Sequence, residues 1–169
     1  VMQHKKDRQL PIGPNATLYF EDLMTMKYQI QEMLKAERIF EADGIQEELD
    51  TYNPLIPDGS NWKATFMIEY DDEDERRQQL AKMVNIESRV WIKVDGFEQI
   101  APIADEDLER ATDDKTSSVH FLRFELGNDM LDALKQGASL SAGIDHSAYN
   151  HTVDPVPNNI RQSLLNDLD

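Results

Sequence analysis

From Trp62 to Tyr70 the chain alternates in character, with Trp62, Ala64, Phe66, Ile68 and Tyr70 on one side of a pleat and Lys63, Thr65 and Glu69 among those opposite. Successive side chains of a strand point to opposite faces, so this stretch can bury one face while the other stays partly wet. Parallel sheets layered by helices are built from strands apolar on both faces, and half-buried alternation is the mark of antiparallel pairing. Asp95-Gly96, between the apolar-rich runs Arg89–Val94 and Phe97–Ile103, is the strongest hairpin signal in the chain and predicts the same pairing.

The other elements follow from punctuation and period. Ala16 to Glu21 read as a short strand, and Asp22 can cap the helix behind it. Leu23, Met26, Ile30, Met33 and, beyond Glu37, Phe40 keep helical intervals, with Gly44 as the break and a shorter helix over Ile45 to Tyr52. The acidic run Asp71–Glu75 suits the first turn of a helix continuing to about Asn85. Ser117 to Leu126 predicts a strand, Asp129 to Gln136 a helix, Ala138–Asp145 and Tyr149–Val153 a last strand pair, and Pro157 opens a terminal helix. Strands mostly succeed one another without regular crossover helices. The expectation is an α+β fold, a single domain over residues 16–169 with a mostly antiparallel sheet packed against one long helix and several short ones. Residues 1–15, with His4, Lys5, Lys6 and Arg8, read as a loose N-terminal arm, and the start at Val1 points to residues upstream.

Composition narrows the partners. A chain of 169 residues with 33 acidic and 17 basic side chains has a formal net charge of −16, which disfavours a nucleic-acid backbone as partner. No apolar run is long enough to cross a bilayer and no signal peptide is evident, so a cytoplasmic protein without membrane contact is expected. The absence of cysteine excludes an iron–sulfur cluster held by this chain, thiol nucleophiles and disulfides. Any metal must use nitrogen and oxygen ligands, which leaves divalent iron, manganese or zinc.

Chemistry is sought where polar groups fall on apolar faces, because an unpaired interior charge costs several kcal/mol as an order of magnitude. Period-two counting places His120 with Leu122, Phe124 and Leu126, His146 with Leu140, Ala142 and Ile144, and His151 with Tyr149 and Val153. Glu37 interrupts the stripe of the long helix. His120, His146, His151 and Glu37 are therefore the candidate metal ligands. A hydrogen-bonded core histidine is the commoner outcome of such placement, and the spacing matches no metal signature. The loop from Asn53 to Lys63 combines rigid prolines with hydrogen-bonding side chains. Asn53, Asp58, Asn61, Trp62 and Lys63, with Arg123 on the later strand, form the candidate ligand-binding set. There is no phosphate loop and no Gly-x-Ser-x-Gly elbow, so no catalytic residue is fixed by a motif.

Several segments carry a family resemblance: Gly13-Pro-Asn-Ala-Thr17, Phe20-Glu-Asp22, Tyr28-Gln-Ile-Gln-Glu-Met33, Glu37-Arg-Ile-Phe-Glu41, Tyr52 through Lys63, Val119-His-Phe-Leu-Arg-Phe124 and Asp154-Pro-Val-Pro157. Together they resemble a bacterial family known as a domain of unknown function, number thirty-five hundred and one, over nearly the whole chain. The resemblance implies a bacterial cytosolic protein whose gene lies beside those of a rubrerythrin-like di-iron protein and an iron–sulfur oxidoreductase. It brings no catalytic residues. Two functions follow as expectations: an accessory or interaction protein of a redox or peroxide-stress system, docking on a redox partner protein, or a metal-dependent or small-molecule enzyme using an interior His/Glu cluster. A homodimer fits either, two-fold dimers being the commonest oligomers.

Overall fold

The computed structural model describes residues 2–106, 110, 112 and 114–169. In chain order these form α1 (Met2–Lys6), β1 (Gln9–Pro11), β2 (Ala16–Glu21), α2 (Leu23–Ala36), α3 (Ala42–Tyr52), β3 (Asn61–Ile68), α4 (Glu73–Lys82), β4 (Val90–Val94), β5 (Ile103–Ala104), β6 (Val119–Glu125), α5 (Asn128–Lys135), β7 (Leu140–His146), β8 (Tyr149–Val153) and α6 (Asn158–Leu165). Short 3-10 turns cover Asn53–Leu55 and Ile86–Ser88. The strands make a five-stranded sheet in the order β1-β2-β3-β6-β5 and a three-stranded sheet β4-β7-β8, with every pairing antiparallel. The α+β, antiparallel expectation holds.

Alternation governs the larger sheet. Leu18 and Phe20 on β2, Trp62, Ala64 and Phe66 on β3, and Leu122 and Phe124 on β6 are buried on one face, in one apolar cluster with Val90, Ile92, Leu140 and Ile144 of the smaller sheet. The opposite face, with Tyr19, Glu21, Lys63, Thr65, Phe121 and Arg123, is only half-buried. Helices α2 and α3 lie over that second face, and what they leave uncovered becomes the cleft described below.

The segment read as a loose arm is part of the fold. β1 pairs with β2, Leu10 and Ile12 enter the core, and Arg8 is 2% exposed. The Arg8 guanidinium donates to Phe20 O, Glu21 O and both carboxylate oxygens of Asp167, at 3.1 and 2.5 Å for the latter, which ties the N-terminal segment to the residues beyond α6. A desolvated guanidinium needs this many acceptors.

The long helix is shorter than its periodicity predicts. Asp22 and Thr25 form a reciprocal cap at its start. At its end Arg38 adopts φ 53°, Ile39 N–H donates to Leu34 O at 2.9 Å and Arg38 N–H to Lys35 O at 3.3 Å, the paired bonds of a Schellman motif. Glu37 is thus an exposed cap residue rather than an interior group, and Phe40 lies 83% exposed between the helices. Gly44 does not break the second helix. It admits Ile39, whose Cγ2 would lie 2.5 Å from a Cβ added there.

The Asp95-Gly96 hairpin is also only partly realised. Gly96 turns the chain with φ 91°, but the returning segment pairs through Ile92 and Ile100 alone. Pro102 has no N–H to continue a ladder, and Ile103–Ala104 pairs instead with β6 of the other sheet. The full partner of β4 is β7.

Candidate functional site: a cleft on the sheet, and a sealed histidine beneath it

The four candidate metal ligands do not converge. His120 is wholly buried on β6, with Nδ1 2.6 Å from Asp105 Oδ2 and Nε2 2.7 Å from Thr116 Oγ1 and 3.0 Å from Ser117 O. His146 turns back from β7, its Nε2 2.8 Å from Val84 O while its Nδ1 accepts the Ala148 N–H at 3.0 Å. That N–H fixes Nδ1 as the acceptor and leaves Nε2 to donate. His151 is exposed on β8 with its ring 4.6 Å from that of Tyr149, and Glu37 caps α2 in solvent. Among the described residues no group of three or more His, Asp or Glu side chains is arranged to hold a metal ion. Period-two counting places His120 correctly on the buried face, but His146 is only half-buried and His151 is exposed, and each has its own partners.

The histidine cluster has members that the sequence reading did not single out. Asp105, held at φ 51°, divides its carboxylate: Oδ2 serves His120, while Oδ1 accepts the Phe121 N–H at 2.9 Å and Arg110 at 3.2 Å. Glu87 Oε2 lies 3.9 Å from His120 Nε2. Thr116, His120 and Asp105 run hydroxyl, imidazole, carboxylate in the order of a hydrolase relay. With Thr116 2% and His120 0% exposed, no substrate carbonyl reaches the hydroxyl. The arrangement is a buried polar lock between β6 and the chain before it.

A concave feature lies on the half-buried face of the larger sheet. A cleft of about 930 Å³ is floored by Phe121, walled by Tyr52, Pro54 and Leu55, and rimmed by charged groups. A second lobe of about 360 Å³ shares Tyr52, Leu55 and Phe121 with it and reaches Tyr19, Glu21 and Thr65. These volumes fall in the range of small-molecule sites. Of the six candidate ligand-binding residues, Asp58, Asn61, Lys63 and Arg123 line the larger lobe. Asn53 sits exposed at the start of a 3-10 turn outside it. Trp62 faces the core, where its Nε1–H donates to Leu164 O at 3.0 Å, because alternation turns it away from Lys63.

Hydrogen bonds hold this wall rigid. Asp58 accepts from the N–H and hydroxyl of Ser60, both at 3.1 Å, and its own N–H donates to Asn61 Oδ1 at 3.0 Å. Asn61 Nδ2 reaches Glu125 across the sheet at 3.0 Å, and Lys63 Nζ holds Pro54 O at 2.8 Å. Arg123 forks onto Glu106 at 2.7 and 3.1 Å and also contacts Glu125. The Arg110 guanidinium stacks 4.5 Å from the Phe121 ring centre, so Asp105 links the sealed histidine to a wall of the cleft.

Electrostatics separate the lobes. In the larger one the Ser60 amide holds the Asp58 carboxyl below its usual range, and Arg123 does the same to Glu106. Glu106 and then Glu125 push the Arg123 guanidinium upward. In the smaller lobe burial pushes the Glu21 carboxyl up, against the opposing pull of hydrogen bonds from Thr25 Oγ1 at 2.7 Å and Thr65 Oγ1 at 3.2 Å and of the Arg8 charge. The signal for this lobe was present in the sequence as the outward rows of β2, β3 and β6. Only the pairing register brings those rows together.

A family model described as Protein of unknown function (DUF3501) matches residues 1–168, and the chain belongs to that family. No curated protein matches it. Among solved structures it is similar to a crystal structure of a novel protein of unknown function from Burkholderia pseudomallei K96243. The two are 54% identical with a TM-score of 0.93 over 99% of this chain and 87% of that one.

Proposed function

We propose that this member of the family is an accessory protein that binds a small organic ligand in the two-lobed cleft, and that it does so in the service of a bacterial redox or peroxide-stress system. The observation that carries the binding role is the convergence of Asp58, Asn61, Lys63 and Arg123 around a cleft of about 930 Å³ floored by Phe121. Groups meant for proton transfer work best with titration near ambient pH. Asp58, Glu106 and Arg123 are all driven away from it, so they present fixed charges and hydrogen bonds. Such a rim selects and orients rather than reacts. The redox setting rests on the family resemblance, and the lack of cysteine, which excludes an iron–sulfur cluster held by this chain, fits a partner role.

The test is native mass spectrometry of the untagged protein, gently purified from a bacterium that carries its gene. A single small-molecule adduct is expected on the wild type and not on Leu55→Trp, which fills the cleft from a half-buried position. Absence of any adduct, or an adduct indifferent to Leu55→Trp, contradicts the binding role.

A further inference from the structure

We propose that the smaller lobe is an ammonium site: it takes the quaternary or methylated ammonium head of an organic cation, held between the rings of Tyr19 and Phe121 against the Glu21 carboxylate. This rests on the cleft being a small-molecule site and names the chemical class of its ligand.

The geometry comes from the register. Tyr19 on β2 pairs with Thr65 on β3, and Thr65 pairs with Phe121 on β6, so two aromatic residues flank one short side chain in a single row across the sheet. Adjacent strands lie about 4.8 Å apart, which sets the two ring-bearing strands roughly 10 Å from one another. That backbone separation leaves room for a cation between the two side chains, within the roughly 6 Å reach of a cation–π contact, beside the Arg110 guanidinium that already lies 4.5 Å from the Phe121 ring centre. Thr65 forms the floor, and Tyr52 and Leu55 close the lobe from above.

The charge comes from Glu21. Its side chain lies beside the floor, with Oε1 taking the Thr65 hydroxyl and Oε2 the Thr25 hydroxyl. Both oxygens are therefore already hydrogen-bonded, while the negative charge is desolvated. Arg8 and Lys5 also line the lobe and the Arg8 charge acts on Glu21, but the Arg8 hydrogen bonds go to other acceptors. A head group that spreads its charge over methyl groups suits the rings and a carboxylate already holding two hydroxyls, whereas a primary ammonium would recover only part of the three hydrogen bonds it makes to water.

The basic groups at the lobe are otherwise engaged. Arg8 is committed to Asp167, Ser163 and two backbone carbonyls, and Lys5 Nζ lies 4.2 Å over the Tyr28 ring. Asp22 is paired with His4 at 2.6 Å, and the Tyr19 hydroxyl donates to Glu69. The net charge of −16 draws cations toward the whole surface.

Calorimetric titration with choline, its uncharged carbon isostere 3,3-dimethylbutan-1-ol, and ethanolamine tests the assignment, with amide NMR shifts locating the site. Choline is expected to bind the wild type and to shift Tyr19, Thr65 and Phe121. The isostere, ethanolamine and the Glu21→Gln variant should each bind at least about tenfold more weakly. A folded NMR spectrum of Glu21→Gln guards against trivial loss, and choline affinity of the wild type should also fall as acid protonates Glu21. Equal binding of the isostere, an unchanged Glu21→Gln, or no choline binding in the tens of millimolar overturns the ammonium site. If choline fails while Leu55→Trp still abolishes the native adduct, the ammonium assignment alone falls. If the native adduct survives Leu55→Trp, the cleft itself is not the site and both readings fall.

Discussion

Asp105 Oδ2 lies 2.6 Å from His120 Nδ1, and the same carboxylate, through Oδ1, takes the Phe121 N–H and Arg110. One side chain thus satisfies a buried ring, a strand amide and a guanidinium. Replacing Asp105 with Ala removes an acceptor from each of the three, and the expected loss is about 3–5 kcal/mol, the range for breaking a buried ion pair from one side. Thr116→Val removes a single hydroxyl partner and should cost about 1–3 kcal/mol. Urea denaturation measures both. Because the cluster is sealed, Thr116→Val should leave ligand binding unchanged, and a binding defect in a folded Thr116→Val protein would give the histidine a role beyond structure.

Glu21 links stability to pH. Burial raises its folded carboxyl above the ordinary 4.5, so the folded state holds this proton more tightly than the unfolded chain. Its contribution is complete below the unfolded value and is lost as pH rises through the folded one. Glu21→Gln cannot lose that proton. The difference in melting temperature, variant minus wild type, should therefore grow more positive from acid toward neutral pH. A difference that is flat with pH, or that shrinks, refutes the assignment of Glu21 as a desolvated carboxyl.

Gly13 is required by its surroundings. It has φ 73°, and a Cβ there would come 2.4 Å from the Tyr149 hydroxyl and 2.6 Å from the His151 ring. The left-handed backbone alone costs an alanine about 1–2 kcal/mol, and the Tyr149 hydroxyl, which donates to Ile12 O and accepts from Asn15 N–H, has to move as well. Gly13→Ala should lower the denaturation midpoint clearly, whereas His151→Ala, which frees space on an exposed strand, should change it little.

The metal question has a simple chemical check. Since His120, His146, His151 and Glu37 keep separate partners, elemental analysis of untagged protein prepared without chelator should give a metal content that is the same for the wild type, His146→Ala and His151→Ala. A stoichiometric metal lost in either variant contradicts the scattered geometry.

Much of the fold was legible because it depends on local rules. The span Ala16–Glu21, the Asp22 cap, the alternation around Trp62 and the face of His120 all follow from period and capping chemistry, and they stand as read. What failed was decided by partners distant in sequence. The stripe ending in Phe40 looks helical, yet a Schellman turn at Arg38 stops it and sends Glu37 into solvent. Arg8 looked like part of a solvated arm until Asp167, at the far end of the chain, supplied its counter-charge. The cleft was half legible: loop and strand chemistry marked Asp58, Asn61, Lys63 and Arg123, while Tyr19, Glu21 and Phe121 meet only through a strand order, β2-β3-β6, that skips intervening elements.

The binding role of the cleft is tested most directly by mapping amide NMR shifts while a library of small organic molecules is screened against the labelled protein. The account predicts that shifts gather on Tyr19, Lys63, Thr65, Phe121 and Arg123 and vanish in Leu55→Trp. Shifts that scatter over the surface, or that gather on β8 around His151, would contradict it.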